Sequence, residues 1–356
     1  MGVYRVVSLI LITTILLLPA SFTSAEGEKQ AALTLSLVGD PLKGKAPYAI
    51  DTWRIGSNHF VARGEYNGRK LGMFSFDNAN GALTKTDSVP VGKGLSSLAA
   101  GGKDNAFVFS ANIRRDQLAA FKVDPGSKTL SSIQKVPSGG TGPIKIDLDW
   151  VAIDDNGFCA VLNQDSAELT MFKVNEGGML SSWVRVPTLP EPMAVKLIGN
   201  RIVIAHSQGN VVMALLDKDT GVVIPFDIDD AGGHITAMAV NGKKLAVSTA
   251  EGDVVTYRVG PDSLSFLERN SLGKGYISDL TFAGKRTLFV TGGVGDGWLA
   301  GYKYPKNGRL TLQGELALAG QSQRTLATVK GDEKGETFVI VNEFHNNRSL
   351  VVRATF

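Results

Sequence analysis

A chain of 356 residues, 43% hydrophobic and 20% charged, has the composition of a packed globular protein and not of a disordered one. Its 37 basic and 34 acidic side chains leave a net charge of +3, which gives no global drive toward nucleic acid or an anionic membrane. The one cysteine, Cys159, excludes an intrachain disulfide and any cysteine-based zinc or haem-attachment motif; within "GFCAVLN" it reads as a small buried hydrophobe.

The chain opens with Arg5, an apolar run over residues 6–18, Pro19 and the small residues Thr23, Ser24 and Ala25 ahead of Glu26. That layout predicts a secretory signal peptide, residues 1–25, cleaved after Ala25. The run is shorter than the roughly twenty residues that span a bilayer, so a membrane anchor is the weaker reading. The expected mature protein, residues 26–356, is secreted or periplasmic, with no integral membrane segment and 36 basic against 34 acidic side chains.

Next comes an alternating stretch, "AALTLSLVGD", and then a unit that recurs seven times. Its copies include "FVARGEYNGRKLGMFSFDNANGAL" from Phe60, "FVFSANIRRDQLAAFKVDPGSKTL" from Phe107, "FCAVLNQDSAELTMFKVNEGGML" from Phe158 and "LAVSTAEGDVVTYRVGPDSLSFL" from Leu245. Each holds an apolar run, a polar loop, an alternating run and a turn such as "NANG", "DPGS" or "PKNG", which is hairpin chemistry. A further strand precedes the unit and another follows it. Four strands at a period of roughly 40 to 50 residues are the dimensions of a propeller blade. The predicted fold is all-β: one seven-bladed β-propeller with four antiparallel strands per blade. The repetition excludes a sandwich or a pair of barrels.

The last copy, "FVIVNEFHNNRSLVVRATF" from Phe338, stops without an outer strand. The early stretch "AALTLSLVGD" resembles the outer strand "ALTKTDSVPVG" of the first blade. The last blade is therefore expected to be closed by the N-terminal strand, with Leu33, Leu35 and Leu37 pairing along residues 349–355. Such closure leaves no open ring edge.

The second copy resembles the repeats of lactonase-type seven-bladed propellers, which include 6-phosphogluconolactonase, carboxymuconate lactonising enzymes and the YVTN-type repeats. Asn112, Phe121, Val123, Asp124 and Leu130 carry the likeness in blade two, and Asn163, Phe172, Val174 and Leu180 in blade three. The resemblance implies an active site of His, Arg and acidic side chains at one mouth of the central channel. It also implies a His-rich segment opening an inner strand after a "GP" turn; this chain has "GPIKIDLDW" there, with Lys145, Asp147 and Asp149 and no His.

Propeller topology places three histidines on the face where ligands enter: His206, His234 and His345. His59 falls on the opposite face. Nothing in their spacing imposes the 2 to 2.2 Å distances of a metal centre, so no metal and no cofactor is expected. A catalytic set would combine His234, Arg324, Glu343 and His345, with His moving a proton and Arg stabilising an oxyanion or carboxylate. Ligand contacts are assigned to Arg114, Lys145, Asp147, His206 and Trp298. "GGVGDGW" lacks the Lys-Ser/Thr of a phosphate loop, and the sequon at Asn347 reads as a chance occurrence. With no complete catalytic set in the pattern, the expected function is a monomeric, non-catalytic module. It would bind a small-molecule or protein ligand at the channel mouth, and no nucleic acid. The alternative is a lactonase-like hydrolase or cyclising enzyme acting on a small carboxylated lactone, which requires charged side chains to converge in the channel.

Overall fold

The computed structural model describes residues 32–356 apart from 152–155, 294–295 and 321–322, so the expected signal peptide lies outside the described residues. No helix among the described residues is long and apolar enough to cross a membrane.

Seven four-stranded antiparallel sheets form the blades. Blades one to six are contiguous, at residues 47–90, 95–137, 143–187, 192–230, 235–271 and 277–318. The two middle strands of a blade are buried on both faces because a neighbouring blade covers each. Every residue of Phe107–Asn112 is buried, whereas the outer strand Leu180–Pro187 alternates with solvent. One apolar cluster fills each of the seven seams; that between blades two and three holds Phe109, Phe121's neighbour Ala120, Phe172 and the expected buried Cys159.

The seventh blade is built from both ends of the chain. Gln323–Lys330, Glu336–Glu343 and Arg348–Thr355 come from the C-terminus, and Thr34–Lys43 supplies the outer strand. The expected register holds for Leu35 opposite Ala354 and Leu37 opposite Val352. Leu33 does something else. Its backbone N–H donates to Gln313 O at 3.1 Å, and its side chain lies on Gly301 of blade six, where a Cβ would collide with it. The closing strand is gripped from the other side by buried Arg63 of blade one. Its guanidinium donates to the carbonyls of Leu42 (3.0 Å) and Lys43 (2.9 Å) and pairs with Glu65 at 3.1 Å. The N-terminal strand thus ties blades six, seven and one together.

Candidate functional site

All seven inner strands shift register between their first and third residues, so one residue of each is bulged at the same end of the ring. A bulge re-aims its side chain and frees it from the regular alternation. In blades one and seven the bulged residues are Tyr48 and Arg324. Both reach the entrance of the channel beside Phe344, in the loop after Glu343.

An aromatic rim results. Tyr48, Tyr66 and Phe344 have ring centroids 5.5, 5.8 and 6.1 Å apart, and Arg324 lies 6.0 Å from the Tyr48 centroid and 5.7 Å from that of Phe344. Arg114 covers Tyr66 at 5.2 Å and donates from Nε to its hydroxyl at 3.3 Å. His345 meets Phe344 edge-on at 5.2 Å. Burial holds the Tyr48 phenol above its ordinary value, against the opposing pull of Arg324. Arg324 Nε has no hydrogen-bond partner among the described residues. Arg324 thus lies over two rings with one buried donor unpartnered among the described residues.

The position just past each bulge lines the channel, in the order Ala49, Ser97, Lys145, Ala194, Ala237, Asp279 and Thr325. Five of these are small, which leaves a cavity of about 320 Å³; two are charged. Burial pushes the Lys145 ammonium below the usual lysine range, Asp279 opposing and Lys196 reinforcing the shift. Burial pushes the Asp279 carboxyl up, with Lys145 opposing. Asp279 is also structural, since its two oxygens accept the N–H groups of Leu280 (2.9 Å) and, across the seam, Leu326 (2.7 Å). Asp51, one level deeper, bridges blades one and two in the same manner through Ala100 N at 2.7 Å.

The residues singled out from sequence divide accordingly. Arg324 and His345 share the rim, Arg114 joins it, and Lys145 lies in the cavity. The side chain of Asp147 lies outside the described residues. Glu343 does not face the mouth: it is fully buried, ion-paired with Arg348 and held by Gln323 Nε2 at 3.4 Å and Asn346 Nδ2 at 3.2 Å. Its carboxylate orders the loop that presents Phe344 and His345. His234 is separate, exposed at the seam of blades four and five, with Nε2 2.8 Å from Ser207 Oγ. Trp298 is packed in the core between blades five and six, and His206 is buried at the seam of blades three and four. Among the described residues no three His, Cys, Asp or Glu side chains gather as metal ligands.

Sequence reasoning missed Tyr48, Tyr66, Phe344, Lys196 and Asp279. The signal was present in the inner strands: aligned at their bulges, "YAID", "SSLA", "IKID", "MAVK", "TAMA", "SDLT" and "RTLA" show one column of small residues broken only by Lys145 and Asp279.

The family model "Lactonase, 7-bladed beta-propeller" matches residues 68–197. A 6-phosphogluconolactonase of Bacillus subtilis (strain 168) is 29% identical over 97 residues, 27% of each chain, so the match spans about a quarter of that relative. Among solved structures, the periplasmic gluconolactonase of Pseudomonas aeruginosa superposes with a TM-score of 0.62 at 17% identity, covering 78% of this chain and 86% of that one. A candidate 6-phosphogluconolactonase of Bacteroides fragilis NCTC 9343 gives 0.64 at 15% identity, covering 89% and 91%. The likeness of these structures is one of fold.

One expectation is corrected. The sequence pattern pointed to a non-catalytic module, but the family model and the curated relative are those of lactonases. Histidines in loops are easy to see in a sequence, whereas Lys145 and Asp279 face one cavity only because each stands just past the bulge of its inner strand. In repeat and ring closure the chain is a seven-bladed β-propeller, and its residues 68–197 resemble the lactonase-type propellers.

Proposed function

We propose that the protein is an exported lactonase-type hydrolase acting on a small lactone that carries a carboxylate. The observation that carries this reading is the placement of Arg324, bulged over the channel entrance on two aromatic rings with Nε idle, directly above a cavity that contains Lys145. Arg324 holds the substrate carboxylate, and the Tyr48–Tyr66–Phe344 rim covers the apolar face of the ring. Water adds to the lactone carbonyl carbon, the ring C–O bond breaks, and a hydroxy-carboxylate results. Lys145, its proton affinity lowered by burial, takes a proton from the attacking water and returns one to the departing ring oxygen. His345 is a second proton-transfer group at the rim. Export rests on the N-terminal residues 1–25 and is supported by the likeness to a periplasmic gluconolactonase.

The test is a panel of carboxylated and uncharged lactones followed by proton release. The carboxylated members should be turned over, Arg324→Met should lose them, and His234→Ala should keep them. Loss of turnover in His234→Ala alone would move the site to blades four and five.

A further inference from the structure

Adjacent blades are laced together near their outer strands by a side chain that reads the backbone of the next blade. Asp87 accepts Leu130 N at 2.7 Å from blade one to blade two. Gln134 accepts Leu180 N at 2.8 Å and donates to Leu180 O at 3.2 Å from blade two to blade three. Asp227 accepts Leu264 N from blade four to blade five, and Asn270 accepts Leu310 N at 2.7 Å from blade five to blade six. Asp87, Gln134 and Asp227 each stand four residues after the hydrophobic residue of their turn, Leu83, Leu130 and Val223. The same count from Leu180 in blade three reaches Val184, which cannot make that bond.

The seam between blades three and four has no such bond among the described residues, and Val184 packs there against the apolar cluster instead. The seam contains a groove of about 720 Å³ walled by Leu169, Val186, Ile204, Val212, Phe226 and Ile228. Ile228 is 57% exposed and Phe226 37% exposed, although both are large and apolar. A volume of this size suits one small organic molecule.

Three polar side chains line the groove, and two of them are engaged: Thr188 Oγ1 donates to Leu189 O at 2.9 Å, and Asp227 accepts the N–H groups of Leu264 and Ile228. His206 is 1% exposed, and its Nδ1 lies 3.3 Å from the Pro190 carbonyl. A carbonyl can only accept, so Nδ1 carries the proton and Nε2 is left as an acceptor. Nε2 is buried and has no hydrogen-bond partner among the described residues. A buried acceptor without a donor is costly, and a ligand donor would recover that cost.

We propose that the groove between blades three and four is a second small-molecule site, taking an apolar, ring-sized compound with one hydroxyl or N–H that donates to His206 Nε2. The walls select the apolar body, and the unpartnered His206 acceptor selects the donor. The site is separate from the channel, on other blades, and does not depend on the reading of the channel as a lactonase centre.

Titration of the purified protein with 2-naphthol and with 2-methoxynaphthalene, followed by calorimetry or naphthyl fluorescence, tests it. The naphthol should bind saturably and about tenfold more tightly than its methyl ether, which lacks the donor. His206→Phe, which keeps an apolar ring, should abolish that difference. Ile228→Arg, at an exposed position where folding is not at stake, should weaken both compounds, and Lys145→Met should change neither. Absence of saturable naphthol binding would overturn the proposal. So would equal affinity for the two compounds, or binding lost with Lys145→Met instead of Ile228→Arg.

Discussion

Lys145 and Asp279 stand at the same level of the central channel, on blades three and six, each one position past the bulge of its inner strand. Every other residue at that level is Ala, Ser or Thr. Burial displaces the two in opposite senses, the amine down and the acid up. A buried amine and a buried acid displaced in opposite senses within one cavity mark a candidate place for acid–base chemistry.

The pH dependence of turnover follows from the lowered lysine. A base acts in its deprotonated form, so kcat should rise with pH along a limb set below the ordinary lysine value of about 10.4. Lys145→Met should remove that limb. A rate profile without it in the wild type would contradict the role given to Lys145.

Asp279 predicts a stability effect of definite sign. Its folded-state pKa is raised, so the folded protein keeps the proton at pH values where the unfolded chain, near 3.9, has lost it. Its contribution to stability is greatest below the unfolded value and declines as pH rises through the folded one. In urea unfolding at a series of pH values, the stability of wild type relative to Asp279→Asn should fall with rising pH. The variant also replaces an acceptor that two N–H groups use, at a cost of about 1–3 kcal/mol.

The fold was legible almost in full, and the site only in part. Repeats announce themselves because each blade must satisfy the same two neighbours, so Phe74, Phe121 and Phe172 recur at one place in the pattern. The closing strand was legible because an outer strand absent at one end reappeared at the other. The rim was not. Tyr48 and Arg324 lie about 276 residues apart in sequence, and only ring closure with a shared bulge puts them side by side. Glu343 misled because a carboxylate in a loop looks available, whereas Arg348, five residues on, claims it.

Closure by the N-terminal strand is a stability claim. Removal of residues 1–45 takes away the outer strand of blade seven and the carbonyls that Arg63 binds, leaving a buried guanidinium short of acceptors. The shortened protein should melt well below the full one. Within the intact chain, Leu33→Ala should cost about 2–5 kcal/mol as a buried leucine truncation. Gly314→Ala should destabilise as well, because its Cβ would collide with the Leu33 carbonyl. Melting unchanged in all three would mean that the strand is ornamental.

Arg63 itself should be intolerant of change. Arg63→Ala leaves Glu65 and two strand carbonyls without their donor, and breaking a buried pair in this way costs about 3–5 kcal/mol. Equilibrium unfolding in urea gives the value directly.

Arg324→Met should raise KM for a carboxylated lactone tenfold or more while leaving the melting temperature within a degree or two, because Arg324 rests on the rings and donates no Nε hydrogen bond. An uncharged lactone should be far less affected. Steady-state kinetics on the matched pair of substrates separates the two effects.

The most direct measurement is kcat/KM for the best carboxylated lactone in wild type and in Lys145→Met, with thermal melting recorded on both. The account predicts turnover by the wild type, a loss of about a hundredfold or more in the variant, and equal melting. Wild-type turnover retained in Lys145→Met, or no lactone turned over by either protein, would contradict it.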